Sequence, residues 1–244
     1  LKSATDQFPS TSRNGFSGFI NGQQPGNLAM PFQNSGYVIN NNFNILIAEL
    51  NTRISNKANN KLQVGFTQLR DFRAPLGNTN MPFVDILFNN NIYTSFGYEP
   101  FTYNNKLNSD VFQFSDNLTL YKGSHEITVG TQNYFRKYLN GFAPAYQGLF
   151  QFNSLTDFYN SANGVSGANA KAYGVQYSAL ADGSFPYAKA GVNELGLYGQ
   201  DKWRVTNNFT FTYGLRIDYS AYTGTFDQNP NFASLPFAGG AKYD

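Results

Sequence analysis

The chain has 244 residues, a formal net charge of +2 and 13% charged residues, about half the usual charged share. So weak and scattered a positive balance leaves no footprint for nucleic acid, which needs grouped Lys and Arg, and the lack of cysteine excludes disulfides, thiolate chemistry and Cys-based metal sites. Aromatic residues reach 17% and Asn takes about one position in eight, a composition suited to strands and long polar loops and poorly suited to helices.

In chain order, residues 1–42 read as a long lead-in. Leu1 opens it without a signal-peptide pattern, so either an export signal has been removed or, as is expected, the chain is an interior piece of a longer protein. The first predicted strand is Phe43–Ile54, where Leu46, Ala48, Leu50 and Ile54 alternate while Ile45 and Ile47 intrude on the other face. Ser55–Asn60 turns the chain into Lys61–Arg70, with Leu62, Val64 and Phe66 opposing Lys61, Gln63, Gly65 and Thr67. A long connection, residues 71–110, carries Phe96, Tyr98, Phe101 and Tyr103. A further pair of spanning strands from a long connection would break this topology, and Phe83–Phe96 is where one would most readily fit. The second hairpin joins Val111–Tyr121 to Ile127–Tyr138 through Lys122–Glu126. Phe112, Phe114, Leu118 and Leu120 share a face interrupted by Asp116, and Ile127, Val129 and Phe135 share one with Thr131 and Asn133. A second long connection, residues 139–194, carries Tyr146, Tyr173, Tyr177 and Tyr187, and a short helix is expected over Ser154–Ser161, capped by Ser154 or Thr156. The third hairpin joins Leu195–Val205 to Phe209–Tyr219 through Thr206, Asn207 and Asn208, and Asn, Gly and Ser at all three turns are expected to supply positive φ or side-chain bonds to the backbone.

No stretch approaches the run of about 18 apolar residues that a transmembrane helix needs. The last strand is informative for another reason. Phe209, Phe211, Tyr213, Leu215, Ile217 and Tyr219 fall on one face, and Thr210, Thr212, Gly214, Arg216, Asp218 and Ser220 on the other. A period of two this clean sets one face in an apolar medium and the other in a polar one. The apolar face runs for about eleven residues, the length a tilted strand needs to cross a bilayer; a soluble strand usually has about five or six. Phe209, Phe211, Tyr213, Leu215, Ile217 and Tyr219 are therefore expected to face lipid, and Thr210, Thr212, Gly214, Arg216 and Asp218 a lumen. Trp203 and Phe209 beside the turn, and Tyr219 and Tyr222 near the other strand end, are expected as interface girdle residues, against the plainer reading of sheet packing. Arg216 and Asp218 are expected to pair with each other or with a plug rather than touch substrate. Short turns alternating with long connections are the barrel pattern, whereas long structureless loops would be unusual in a compact soluble domain. Gly65, Gly130 and Gly214 each sit on the lumen face of a strand that follows a turn, either by coincidence among 23 glycines or to give clearance for a plug or for wall curvature.

Little in the chain supports chemistry on a substrate. His125 is the single histidine, placed in a tight turn beside Glu126, and the carboxylates are too scattered to complete a metal site. No G-x-S-x-G elbow and no Gly-rich phosphate loop or dinucleotide fingerprint is present. Asp157, Asp182, Glu126 and Glu194 fall in loops or at strand ends without paired spacing. No catalytic residue, metal or cofactor is expected, and the chain is not expected to be an enzyme. The loop aromatics could stack on sugars or grip peptides; for most of them, packing of the loops on one another is expected.

The run from Leu197 through Tyr198, Gln200, Asp201 and Trp203 to Thr206, followed by Phe209 and then Gly214, Leu215, Arg216, Ile217 and Asp218, resembles the barrel hairpin of TonB-dependent outer-membrane receptors. In that family a Tyr-x-Gln-Asp-x-Trp strand leads through a short turn into a Gly-Leu-Arg-x-Asp strand. Asp116–Gly130 and Phe150–Phe158 are similar to segments of the Oar-like and SusC-like branches, and the matches together cover roughly half the chain. The resemblance implies an all-β chain: an antiparallel transmembrane β-barrel section, about six strands of a larger barrel of about 22, with long extracellular loops. Residues 1–244 would then be part of the barrel domain, with the plug and the remaining strands absent. It also implies the outer membrane of a Gram-negative bacterium and energised uptake of a small-molecule, oligosaccharide or peptide ligand bound by the external loops. The implied partners are outer-membrane lipid, the TonB complex acting through the missing plug and, as in SusC-like systems, a surface lipoprotein lid. An alternative of another class is a soluble all-β surface adhesin or carbohydrate-binding module, with shorter strands and polar outward faces. A hydrolytic outer-membrane barrel is a third, and it lacks an arguable nucleophile and base.

Overall fold

The computed structural model describes residues 2–8, 29–77 and 80–224. In chain order the strands are β1 (Lys2–Phe8), β2 (Tyr37–Ser55), β3 (Ala58–Pro75), β4 (Phe83–Phe88), β5 (Asn91–Phe96), β6 (Lys106–Lys122), β7 (His125–Gly141), β8 (Leu149–Phe152), β9 (Ala172–Gly174), β10 (Ala188–Thr206) and β11 (Phe209–Thr223). One helix, α1 (Leu155–Ala162), and a 3-10 turn at Gln33–Ser35 complete the elements.

Seven strands hydrogen-bond in the order β1-β2-β3-β6-β7-β10-β11. Pairs β1–β2 and β10–β11 are antiparallel, and the hairpins β2–β3 and β6–β7 are antiparallel because a two-residue turn permits nothing else. Across the long connections the direction also reverses. The Tyr121 N–H donates to Lys57 O and the Arg73 N–H to Asn105 O, so numbers rise along β3 as they fall along β6. On the β7–β10 side the Arg204 N–H donates to Ser124 O, while the Thr131 hydroxyl donates to Gly196 O.

All three tight turns lie at the same end of this sheet, because each long connection returns the chain beside the hairpin before it. The Lys57–Tyr121 and Ser124–Arg204 bonds tie neighbouring turns together. Only one of the three turns uses a left-handed residue, Gly123 at φ +60°. Side chains hold the other two: Ser55 Oγ accepts from the Lys57 N–H at 3.1 Å and Thr206 Oγ1 from the Asn208 N–H at 3.3 Å, bonds that let the turn form without positive φ.

Two expectations need revision, and the long connections add no spanning pair to the main sheet. The sheet has a seventh strand, β1, in the lead-in that reads as loop; it pairs from Lys2↔Phe43 to Phe8↔Tyr37, and its sequence carries no apolar alternation that would have marked it. The long strands have 15 to 19 residues, because polar runs such as Asn40–Asn42 continue the hydrogen-bond ladder past the apolar face. Phe83–Phe96 forms two six-residue strands, β4 and β5, outside the main sheet. They turn at Asn89 (φ +50°) and Asn90 (φ +64°), the doubly left-handed geometry of tight hairpins. With β8 and β9 they make a second sheet ordered β5-β4-β8-β9, in which β4 and β8 run parallel.

The chain divides into two compact units. One holds the second sheet, α1, the remaining parts of the long connections and the strand ends that they join. Its core is Phe83, Ala145 and Leu149 on one side and Val84, Ile86 and Phe152, packed with Phe96, Phe150 and Phe158, on the other. α1 begins where expected: Ser154 Oγ accepts from the Asp157 N–H at 3.1 Å and donates to the Asp157 carboxylate at 2.8 Å. The other unit holds the three tight turns, the strand halves beside them, β10 from Lys189 onward and β11.

Candidate functional site

The β10–β11 register assigns every side chain of this hairpin to a face. Leu195, Leu197, Gly199, Asp201 and Trp203 stand opposite Tyr219, Ile217, Leu215, Tyr213 and Phe211, so the alternating apolar face of β11 continues onto β10. It is bare: Leu197 is 67% exposed, Leu215 73% and Ile217 66%. Apolar area left in water forgoes about 25 cal/mol per Å² of burial, so the unbroken apolar face of β11 calls for an apolar surrounding.

Tyr198, Gln200, Lys202 and Arg204 stand opposite Arg216, Gly214, Thr212 and Thr210 on the other face. Arg216 and Asp218 pair with each other there, with Arg216 Nε 2.9 Å from both carboxylate oxygens. The guanidinium also reaches Gln132 Oε1 at 3.3 Å and lies 5.4 Å from the centroid of the Tyr198 ring. The register separates Trp203 from Tyr222, two of the residues expected as a girdle. Trp203 shares the face of Phe211 and Ile217, but Tyr222 pairs with Val192, an even position on the face of Thr212 and Arg216. Tyr219 is the ring that shares the Trp203 face near that end of the strand.

A charged group on the apolar face escapes the alternation. Asp201 is 9% exposed and stands opposite Tyr213. Its Oδ2 accepts from His125 Nδ1 at 2.7 Å and from the Tyr213 hydroxyl at 2.9 Å. The His125 ring in turn stacks on Trp203, centroids 5.4 Å apart and planes 12° apart. His125 is the first residue of β7 rather than a turn residue, and its partner lies 76 residues away in sequence. Glu194, expected near a strand end, sits within β10 and is ion-paired with Arg136. Among the described residues no group of three His, Asp or Glu side chains is placed to hold a metal ion.

The unit built from the long connections carries its own candidate site. Phe32, Asn34, Ile86, Thr94, Phe96, Leu155, Phe158 and Tyr159 line a cleft of about 370 Å³. Edge-to-face contacts of Phe96 with Phe32 (5.9 Å) and Phe158 (5.4 Å) shape its walls. Most other loop aromatics pack on one another: Tyr103 stacks on Tyr146 at 5.2 Å, Tyr98 meets Tyr103 edge-on, and Phe185 touches Tyr103, Tyr146 and Tyr187. Tyr177, 81% exposed, is an exception. Beneath them a polar row crosses the small sheet, with Ser95, Asp85 and Gln151 in register and almost fully buried.

Comparison with known proteins agrees with this geometry. A family model described as an outer membrane beta barrel domain matches residues 4–241. The fold is similar to that of the outer membrane transporter YddB from Escherichia coli, with a TM-score of 0.52 and 15% identity over 78% of this chain and 22% of that one. The chain thus spans 22% of the length of that transporter. No curated protein sequence matches it. The chain belongs to the family of outer membrane β-barrel domains, which places it in the outer membrane of a Gram-negative bacterium.

Proposed function

We propose that this chain is part of the wall of a TonB-dependent receptor that takes up a ligand across the outer membrane. The observation that carries the reading is the hairpin β10–β11, whose one face is a bare apolar band and whose other is a paired polar surface, in a sheet with tight turns at one end and a folded loop unit in the long connections. The apolar set of β11 and its continuation on β10 contact lipid. Thr210, Thr212, Gly214, Arg216 and Asp218 face the lumen, where the Arg216–Asp218 pair is structural. Trp203 and the His125–Asp201–Tyr213 cluster sit in the headgroup layer beside the tight turns, a depth at which amphipathic rings and a carboxylate bonded through Oδ2 to two donors are tolerated.

The ligand, a small molecule, oligosaccharide or peptide, meets the loop unit first, and its aromatic cleft suits a flat apolar face such as a sugar ring or an aromatic side chain. No bond of the ligand is made or broken. Transport draws on the TonB complex through a plug domain. The likeness to the Tyr-x-Gln-Asp-x-Trp hairpin supports that part of the reading, as does the likeness in fold to a transporter of which the chain matches a fraction.

A growth test decides it. A strain lacking the gene is compared with a TonB-deficient strain on a panel of single carbon sources, peptides and ferric siderophores. The expected result is one nutrient lost in both, restored by the full-length protein only when TonB is present. Restoration without TonB, or no shared nutrient phenotype, overturns the coupling.

A further inference from the structure

Gly65, Gly130 and Gly214, all on the polar face, are slots, and the first two are filled. On β3, a Cβ at Gly65 would lie 2.5–2.9 Å from three side-chain atoms of Gln113 on the neighbouring strand β6. On β7, a Cβ at Gly130 would lie 2.7 and 2.8 Å from Cζ and Oη of Tyr198 on the neighbouring strand β10. In both cases the strand across the long connection lays a long, polar-tipped side chain flat over the missing one. Tyr198 goes further: its hydroxyl crosses β7 and donates to Asn117 Oδ1 on β6, so one ring clamps three strands. The space is thus used within the wall and not as clearance for a plug.

Gly214 repeats the arrangement at the edge of the sheet, where no side chain of a further strand covers it among the described residues. It lies five residues past the first residue of β11, as Gly130 lies five past the first of β7 (214 − 209 and 130 − 125). It cannot fill its own slot, since a Cβ there would meet Gly199 O at 2.7 Å and Gln200 Cβ at 2.8 Å. The residue opposite on β10 is Gln200, which stands to Gly214 as Asn117 stands to Gly130, and its amide makes no hydrogen bond among the described residues. A cleft of about 320 Å³ opens here, lined by Tyr198, Gly199, Gln200, Gly214, Leu215 and Arg216. The other edge of β11 is unpaired among the described residues, a row of N–H and C=O groups that hydrocarbon does not tolerate.

We propose that Gly214 is the docking slot for the next strand of the wall, an antiparallel strand of the same polypeptide that places a Tyr or Gln directly opposite Gly214. That side chain lies flat over the glycine and its polar tip bonds the Gln200 amide. The slot sets the register of the incoming strand: a slip of one residue would turn the long side chain to the lipid face. The inference rests on the barrel-wall reading and adds to it the identity and register of the covering residue.

The test uses the full-length protein in its membrane. A photoreactive benzophenone amino acid replaces Thr212, on the same face two residues before the slot, and peptide mass spectrometry locates the cross-link. Paired cysteines at Thr212 and along the captured segment then fix the register by disulfide formation. The expected result is capture of one segment of the same polypeptide, with Tyr or Gln opposite Gly214. Replacing that residue by Ala should lower the melting temperature as Tyr198→Ala does, and Gln200→Ala should add no further loss on top of it. A captured strand with a small or apolar residue opposite Gly214 refutes the slot while leaving the barrel wall standing. A cross-link to a second copy, or to no protein segment, overturns the wall reading itself.

Discussion

Tyr198 and Asp201, three residues apart on one strand, carry opposite kinds of constraint. Tyr198 spans a glycine on the polar face, whereas Asp201 is a charge on the apolar face made tolerable by His125 and Tyr213. Removing one donor from a poorly solvated carboxylate is destabilising because the lost bond is not replaced by water. Tyr213→Phe should therefore lower the thermal midpoint of the detergent-solubilised full-length protein although the ring and its apolar contacts remain. In the loop unit the sign reverses. Both polar atoms of the Gln151 amide are buried without a hydrogen-bond partner among the described residues, so Gln151→Met, which keeps the shape and removes the unmet groups, should stabilise that unit by about 1–3 kcal/mol, read by denaturant titration of loop-unit fluorescence. Tyr98 adds a pH dependence. Burial, reinforced by nearby Tyr103 and Glu99, holds its phenol above the ordinary range, which favours the neutral form in the folded loop. That contribution is fully present below the unfolded value near 10 and is lost as pH rises through the raised one. Ultraviolet titration should show a Tyr signal ionising above the bulk phenols in wild type and missing in Tyr98→Phe.

Among the elements, β11 and α1 are stabilised by different means. β11 is fifteen residues long, with Leu215 and Ile217 near its middle on the apolar face. Leu215→Arg should cost about 2–4 kcal/mol if that level is the bilayer midplane, and Thr212→Arg, on the polar face, far less; folding into lipid vesicles at graded denaturant measures both. Equal costs would mean that the two faces meet similar surroundings. α1 has eight residues and no buried side chain, too short to persist by propensity alone. Its N-cap therefore matters: Ser154→Ala should weaken it by about 0.5–2 kcal/mol, seen as faster amide exchange over Leu155–Ala162 with β4 and β8 unaffected.

At the scale of the molecule, strands of 15 to 19 residues exceed the span of about 9–11 that a tilted strand needs in hydrocarbon. Part of each ladder therefore lies beyond the hydrocarbon, and the long connections separately build a second sheet with a core of its own. An apolar band open to solvent predicts that the full-length protein will stay folded only in detergent or lipid. Recovery as a soluble, folded species after detergent removal would favour the adhesin reading instead.

Much of the wall was legible in the sequence. Period-two alternation and turn chemistry are local, so Phe209–Tyr219, the three hairpins and the Ser154 cap could be read from neighbours a few positions apart. The same alternation says which face a residue takes but not what lies beside it. Asp201 and His125 are 76 residues apart, and Tyr198 and Asn117 are 81 apart; both meetings depend on which strands adjoin and in what register. β1 has no apolar face and is a strand only because β2 offers it an edge. The parallel pairing of β4 with β8 and the buried row of Ser95, Asp85 and Gln151 likewise join segments that no local pattern connects. Chain order and side-chain chemistry determined the repeating wall, because strand periodicity is a property of the backbone. The tertiary structure alone decided how the slots at Gly65 and Gly130 are filled and where Asp201 finds His125, because each of these partners comes from a strand distant in sequence.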